Sequence, residues 1–172
     1  MTISKKKLGG SKMNYEPRIG DFGVVKTNGW IGWLIRLGTN SRWNHTFIYV
    51  GDGLIVEANP TGVALTKASV YPNIAWNHHE ELSVEKRSII AEHAKSLVGK
   101  PYGFIDIITI VFRTFGLDLF GTKKFWKKFS LRQGYICSEL VAESYGKADV
   151  TLVSKPNYLV TPGDLAERLI YQ

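Results

Sequence analysis

Two periods of apolar positions divide the chain into short strands and helices. The strongest β pattern is His45-Thr46-Phe47-Ile48-Tyr49-Val50, then Gly51-Asp52-Gly53, then Leu54-Ile55-Val56-Glu57-Ala58. Two runs rich in β-branched and aromatic residues flank a glycine-containing turn, which predicts a hairpin. A three-residue loop at 51–53 pairs Val50 with Leu54 and therefore Phe47 with Glu57. Upstream, a turn at Arg18-Ile19-Gly20-Asp21 feeds a short strand from Phe22 to Lys26. Asn28 then offers an N-cap for a helix carrying Trp30, Ile31, Leu34 and Ile35, with Gly38 as its stop. Downstream, turns at Asn59-Pro60 and Tyr71-Pro72 set off segments 63–70 and 73–82 as candidate strands.

Helical spacing takes over from Ser83 to Val98, where Ser83 can cap and Ile90, Ala94 and Leu97 line one face. Gly99 and Pro101 end that helix. The apolar run 103–115 predicts a buried helix, and Ile136 to Tyr145 another, stopped by Gly146. Thr161-Pro162-Gly163-Asp164 combines a cap, a proline at the first helical position and an acid, so a last short helix starts there. The fold class is α+β, an antiparallel sheet with helices on either side. Residues 1–15 read as a flexible basic tail, and 16–172 as a single domain.

Composition changes this picture little. The 172 residues are 44% hydrophobic and 12% aromatic, ordinary for a globular chain. The net charge is +7, gathered at Lys5-Lys6-Lys7 and around Lys123-Lys124-Phe125-Trp126-Lys127-Lys128-Phe129. Anionic partners follow from it, cell-wall polymer or an anionic membrane surface met by Lys123–Phe129; the plainer alternative is two solvated segments. No nucleic-acid recognition motif is present, so no specific nucleic-acid partner is expected. No signal peptide and no apolar run of membrane-spanning length occur, so the chain reads as soluble, cytoplasmic or delivered without a signal.

Cysteine usage matters more. The single cysteine, Cys137, excludes an internal disulfide and argues against a thiolate zinc site; acyl transfer by a thiol would need neither metal nor organic cofactor, and none is expected. A lone cysteine is either an inert buried hydrophobe or a reactive thiol. Cys137 falls at the start of a predicted helix, where partial positive charge and unpaired N–H groups favour a thiolate and can receive an oxyanion. Four histidines could serve as its base: His45, His78, His79 and His93. With Phe47 opposite Glu57, His45 becomes the diagonal same-face neighbour of Glu57, roughly 7–8 Å away between backbones. An acid on the otherwise apolar strand Leu-Ile-Val-Glu-Ala needs a partner. An even-length loop would place the two on opposite faces.

The segment Asn44-His45 to Glu57-Ala58 resembles the hairpin of the circularly permuted papain-like superfamily, which includes NlpC-related, YiiX-like hydrolases and lecithin–retinol acyltransferase-like enzymes. Tyr135-Ile136-Cys137-Ser138-Glu139-Leu140-Val141 is similar to the cysteine helix of that group. Gly99-Lys100-Pro101-Tyr102-Gly103-Phe104 is similar to its Gly-x-x-Tyr stretch, and Asn157 to Asp164 to its C-terminal segment. The resemblance spans about residues 18–168. It implies a permuted papain-like catalytic domain with Cys137 as nucleophile, His45 as base and Glu57 as the orienting residue, and a peptide or acyl substrate. Trp43 stands where related enzymes often carry an oxyanion-assisting tyrosine; Trp43 and Tyr135 are candidate oxyanion or substrate-binding residues. Glu at the third position favours a hydrolase acting on an amide bond, peptidoglycan being the expected target. The alternatives are a lipid esterase or acyltransferase at a membrane surface and a non-catalytic papain-like binding module.

Overall fold

The computed structural model describes residues 15–29, 32, 36, 41–77, 81–103 and 134–169. Outside them lie residues 1–14, the expected helical positions Trp30, Ile31, Leu34 and Ile35 with Gly38, and His78 and His79. The apolar 104–115 run and the Lys123–Phe129 segment lie outside them too.

Among the described residues, five strands form one antiparallel sheet: β1 (Phe22–Val25), β2 (His45–Gly51), β3 (Leu54–Asn59), β4 (Gly62–Lys67) and β5 (Ala75–Trp76). Their order is β4-β3-β2-β1-β5. Two expected strands are shorter than the apolar pattern suggested. After Lys67 the chain makes a 3₁₀ turn at Ala68–Val70, and among the described residues of the 73–82 segment the paired ones are Ala75–Trp76.

The β2–β3 turn differs in detail from expectation. Asp52 and Gly53 both take left-handed backbone angles, φ 53° and 71°, so the loop has two residues, and Asp-Gly is the sequence such a turn favours. Gly51, not Val50, pairs with Leu54, and the register shifts between Tyr49 and Gly51. The extra residue at Val50 is a β-bulge. It restores the parity that a two-residue loop alone would reverse, and Phe47 stands opposite Glu57.

The helices α1 (Val84–Ser96), α2 (Cys137–Lys147) and α3 (Pro162–Ala166) complete the described fold. The Ser83 hydroxyl accepts from Lys86 N at 3.3 Å, and Thr161 with Asp164 forms a full capping box. Gly146 does not stop α2, which runs to Lys147; Asp149, at φ 55°, takes the left-handed position beyond it. One glycine inside a helix costs only about 1 kcal/mol, and Leu140, Val141 and Tyr145 are fully buried on its packed face.

The helices α1, α2 and α3 cover one face of the sheet; the other expected helices, at 28–38 and 103–115, fall mostly outside the described residues. Ile90 and Ala94 of α1, Leu140, Val141 and Tyr145 of α2 and Leu165 of α3 pack with Phe22, Val24, Ile48, Val56 and Ala58. The opposite face carries a smaller cluster of Val25, Phe47 and Ile55, closed by Tyr49, Tyr71, Ile74 and Trp76. The chain leaving β4 folds back there and supplies the aromatic cover itself. Gly23 makes that cover possible, because a Cβ on it would come within 2.6 Å of both the Phe47 ring and Ile74. A buried ion pair, Arg87 Nη1 to Asp21 Oδ1 at 2.7 Å, ties α1 to the start of β1.

Candidate active site

The start of β2 is held before the site is reached. The Asn44 side chain accepts from Thr27 N at 2.8 Å and donates to Thr27 O at 2.9 Å. His45 then projects on the aromatic face, with its ring 6.0 Å from that of Phe47. The bulged register brings Glu57 to the same face, and His45 Nε2 lies 2.6 Å from Glu57 Oε2. Both side chains are nearly inaccessible: His45 is 8% and Glu57 3% exposed.

Cys137 is the first residue of α2 and 2% exposed. Its side chain interacts with the His45 imidazole and favours the charged form of that ring. With Nε2 turned to Glu57, Nδ1 is the nitrogen left for the thiol. The approach to Cys137 is pinned: Tyr135 N donates to Pro101 O at 2.9 Å and Gly103 N to Tyr135 O at 3.1 Å, a parallel bridge between Tyr102 and Tyr135. Gly134 allows this contact, since a Cβ there would sit 2.5 Å from the Tyr102 backbone. The N-cap of α2 is Ile136, an extended residue, and no side chain caps the helix. An apolar cap leaves the first-turn N–H groups without the usual side-chain acceptor.

The charges couple strongly. Burial works to lower His45, but hydrogen bonds to Cys137 and Glu57, and the negative charge on each, outweigh it and push the imidazole up to about 9. Burial works to raise Glu57, yet its hydrogen bonds to His45, Tyr71 and Thr66, together with the charge on His45, bring the carboxyl down to about 2. The site therefore favours an imidazolium bonded to a carboxylate.

Sequence reasoning missed Tyr71. Its hydroxyl donates to Glu57 Oε2 at 2.5 Å, its ring stacks on Phe47 at 5.2 Å and 15°, and it lies 5.7 Å from the His45 ring. Burial, and then Glu57, raise this phenol well above the ordinary tyrosine range. Tyr102 is raised similarly, by burial and by the negative charge on Cys137. The Tyr71-Pro72 pair reads locally only as a turn; nothing in its spacing from Glu57 signals contact.

The two flanking candidates are placed differently. Trp43 packs against the core cluster that contains Cys137, with the Arg42 guanidinium 4.6 Å above its ring. The Tyr135 hydroxyl donates to Glu143 Oε1 at 3.3 Å, and the same oxygen lies 3.3 Å from His93 Nε2. His93 is thus tied to α2 and belongs to no part of the His45 site.

No family model matches the chain, and no curated protein matches it. Among solved structures, the chain is similar in fold to metalloprotein yiiX (DUF1105) from Escherichia coli O157:H7. The identity is 23%, the TM-score 0.59, and the match covers 80% of this chain and 70% of that one. The fold is YiiX-like. Among the described residues, no helix is long and apolar enough to cross a membrane.

Proposed function

We propose that this protein is a papain-like cysteine hydrolase that cleaves an amide bond through a thioester intermediate. One observation carries the reading: a buried imidazole held by a carboxylate at 2.6 Å and interacting with a cysteine at the first position of a helix. A nucleophile, a base and a group that orients the base are the parts acyl transfer requires. The circularly permuted papain-like relationship, and the kinship with lecithin–retinol acyltransferase-like enzymes, belong to the same proposal.

The Cys137 sulfur attacks the carbonyl carbon as a thiolate, and the oxyanion forms beside the uncapped first turn of α2. The carbon–nitrogen bond breaks as His45 gives its proton to the leaving amine. Water then attacks the thioester, His45 takes one of its protons, and the acid departs with Cys137 restored. Glu57 stabilises the imidazolium in both halves. Trp43 remains a candidate oxyanion donor, and Tyr135 a candidate substrate contact. The YiiX neighbour is described as a metalloprotein. Here, however, Glu57 takes one His45 nitrogen and Cys137 the other, and no group of three or more His, Cys, Asp or Glu among the described residues could hold a metal ion. No step is routed through a metal.

The substrate we propose is a bacterial cell-wall peptide, for which the net charge of +7 suits an anionic polymer. The test is parallel digestion of purified peptidoglycan and of phospholipid vesicles by the wild type, with Cys137→Ala as control. Release of new amine termini from peptidoglycan, lost in the variant, is the expected result. Ester cleavage in the vesicles alone moves the reading to a lipid hydrolase, and full activity in Cys137→Ala ends it.

A further inference from the structure

We propose that Tyr71 is a positioning residue of this site, whose hydroxyl holds the Glu57 carboxylate in the orientation that receives His45 Nε2 and thereby directs Nδ1 toward Cys137. The inference rests on the cysteine-nucleophile reading.

One carboxylate oxygen does the joining. Glu57 Oε2 accepts from the Tyr71 hydroxyl at 2.5 Å and lies 2.6 Å from His45 Nε2. A phenol held neutral by burial can only donate to a carboxylate, so two donors converge on Oε2 and the second hydrogen sits on Nε2. That assignment leaves Nδ1 to exchange a proton with the thiol. Charge-assisted bonds of this length are strong enough to hold a rotamer.

Tyr71 is itself well fixed. Its backbone N donates to Ala68 O at 3.0 Å, closing the 3₁₀ turn that follows β4. Pro72 restricts it to extended geometry, and its angles are φ −108° and ψ 109°. Its ring is clamped on Phe47. The titratable groups facing it are Glu57 from β3, His45 from β2 and Cys137 from α2. Loss of the phenol leaves Glu57 Oε2 with His45 Nε2 but short of one donor.

The test uses the full chain and iodoacetamide, so no substrate need be known. Alkylation of Cys137 is followed from pH 5 to 9 in wild type, Tyr71→Phe and His45→Ala. Tyr71→Phe keeps the stacked ring and loses only the hydroxyl; its melting temperature, measured in parallel, reports folding. The expected result is alkylation roughly fivefold or more slower than wild type below pH 7, with the gap closing toward pH 9 as the His45 imidazolium loses its proton. A Tyr71→Phe profile superimposed on that of wild type overturns the proposal and leaves the phenol as a cover alone. Nitrogen-15 NMR of His45 at pH 10, above its value of about 9 where the ring is neutral, gives a readout independent of reactivity: the remaining proton sits on Nε2 in wild type, and the preference weakens in Tyr71→Phe. An unchanged spectrum overturns the positioning role. Alkylation unchanged in His45→Ala instead overturns the nucleophile reading.

Discussion

Phe47 stands directly opposite Glu57 across the β2–β3 ladder, and this pairing decides whether the site exists. Side chains alternate along a strand, so Glu57 shares a face with Phe47 and hence with His45. The two-residue Asp52-Gly53 turn by itself would set Ile48 opposite Glu57 and send the carboxylate to the helix-covered face. The bulge at Val50 returns it to His45. One extra residue therefore converts a strand acid into the partner of a histidine.

On the proposed cysteine-nucleophile reading, removing either member of that pair should disable the thiol. His45→Ala is expected to slow hydrolysis about 10²- to 10⁴-fold, the usual contribution of a general base. Glu57→Gln keeps the shape but not the charge, and a loss on the order of 10²-fold is expected. Steady-state kinetics on the substrate identified by digestion measures both. A near-wild-type Glu57→Gln would show that the carboxylate serves only to satisfy a buried histidine.

The same pair makes stability depend on pH in a defined window. His45 rises from 6.5 to about 9 in the folded state, so its contribution is full below pH 6.5 and is lost as pH climbs through about 9. Glu57 falls from 4.5 to about 2, so its contribution is full above pH 4.5 and is lost as pH drops through about 2. Wild type should therefore exceed the His45→Gln/Glu57→Gln double variant most between about pH 4.5 and 6.5, by on the order of 1–3 kcal/mol, with the margin shrinking on both sides. Denaturant midpoints at pH 3, 5.5 and 9.5 measure it. Parallel curves at all three would contradict the coupling.

Gly23 links the sheet to the site through packing. A methyl at this position would meet Phe47 Cε2 and Ile74 Cγ2 at 2.6 Å, so both side chains must move. Gly23→Ala is expected to cost about 1–3 kcal/mol, as overpacking does. Because the Phe47 ring stacks on Tyr71, its displacement should also loosen the hydroxyl from Glu57. Thermal melting together with iodoacetamide labelling of the folded fraction separates the two effects. Unaltered labelling in a destabilised variant would mean that the stack does not support the site.

Local patterns carried much of this arrangement. The hairpin was legible because β-branched and aromatic runs flank an Asp-Gly turn, and the caps Ser83 and Thr161 because their hydroxyls act within one helical turn. The parity of His45 and Glu57 was legible too, although through a three-residue loop that the chain replaces by two residues and a bulge. Either choice adds an odd number of residues, so the face is the same. Tyr71 was not legible. Its contact with Glu57 depends on the full course of β4 and a 3₁₀ turn, and no period in the sequence encodes that path. The aromatic cover on the second face was hidden for a related reason: Tyr71, Ile74 and Trp76 come from short, irregular segments without a helical or strand period.

The buried pair of Arg87 and Asp21 allows stability and chemistry to be tested apart. Arg87 Nη1 meets Asp21 Oδ1 at 2.7 Å, while Asp21 Oδ2 accepts from the Tyr15 hydroxyl at 2.5 Å and Arg18 N at 2.7 Å. Arg87→Met removes the guanidinium and leaves a fully buried carboxylate with its neutral donors only, so a loss of about 3–5 kcal/mol is expected. Asp21→Asn/Arg87→Met removes both charges and should recover part of that loss, because the stranded charge and not the missing attraction dominates the cost. The pair joins α1 to the turn before β1 and touches neither His45 nor Glu57. Labelling of Cys137 per folded molecule should therefore match wild type in both variants. Chemical denaturation gives the stabilities. A double variant no more stable than Arg87→Met would locate the cost in lost packing of the arginine stem instead.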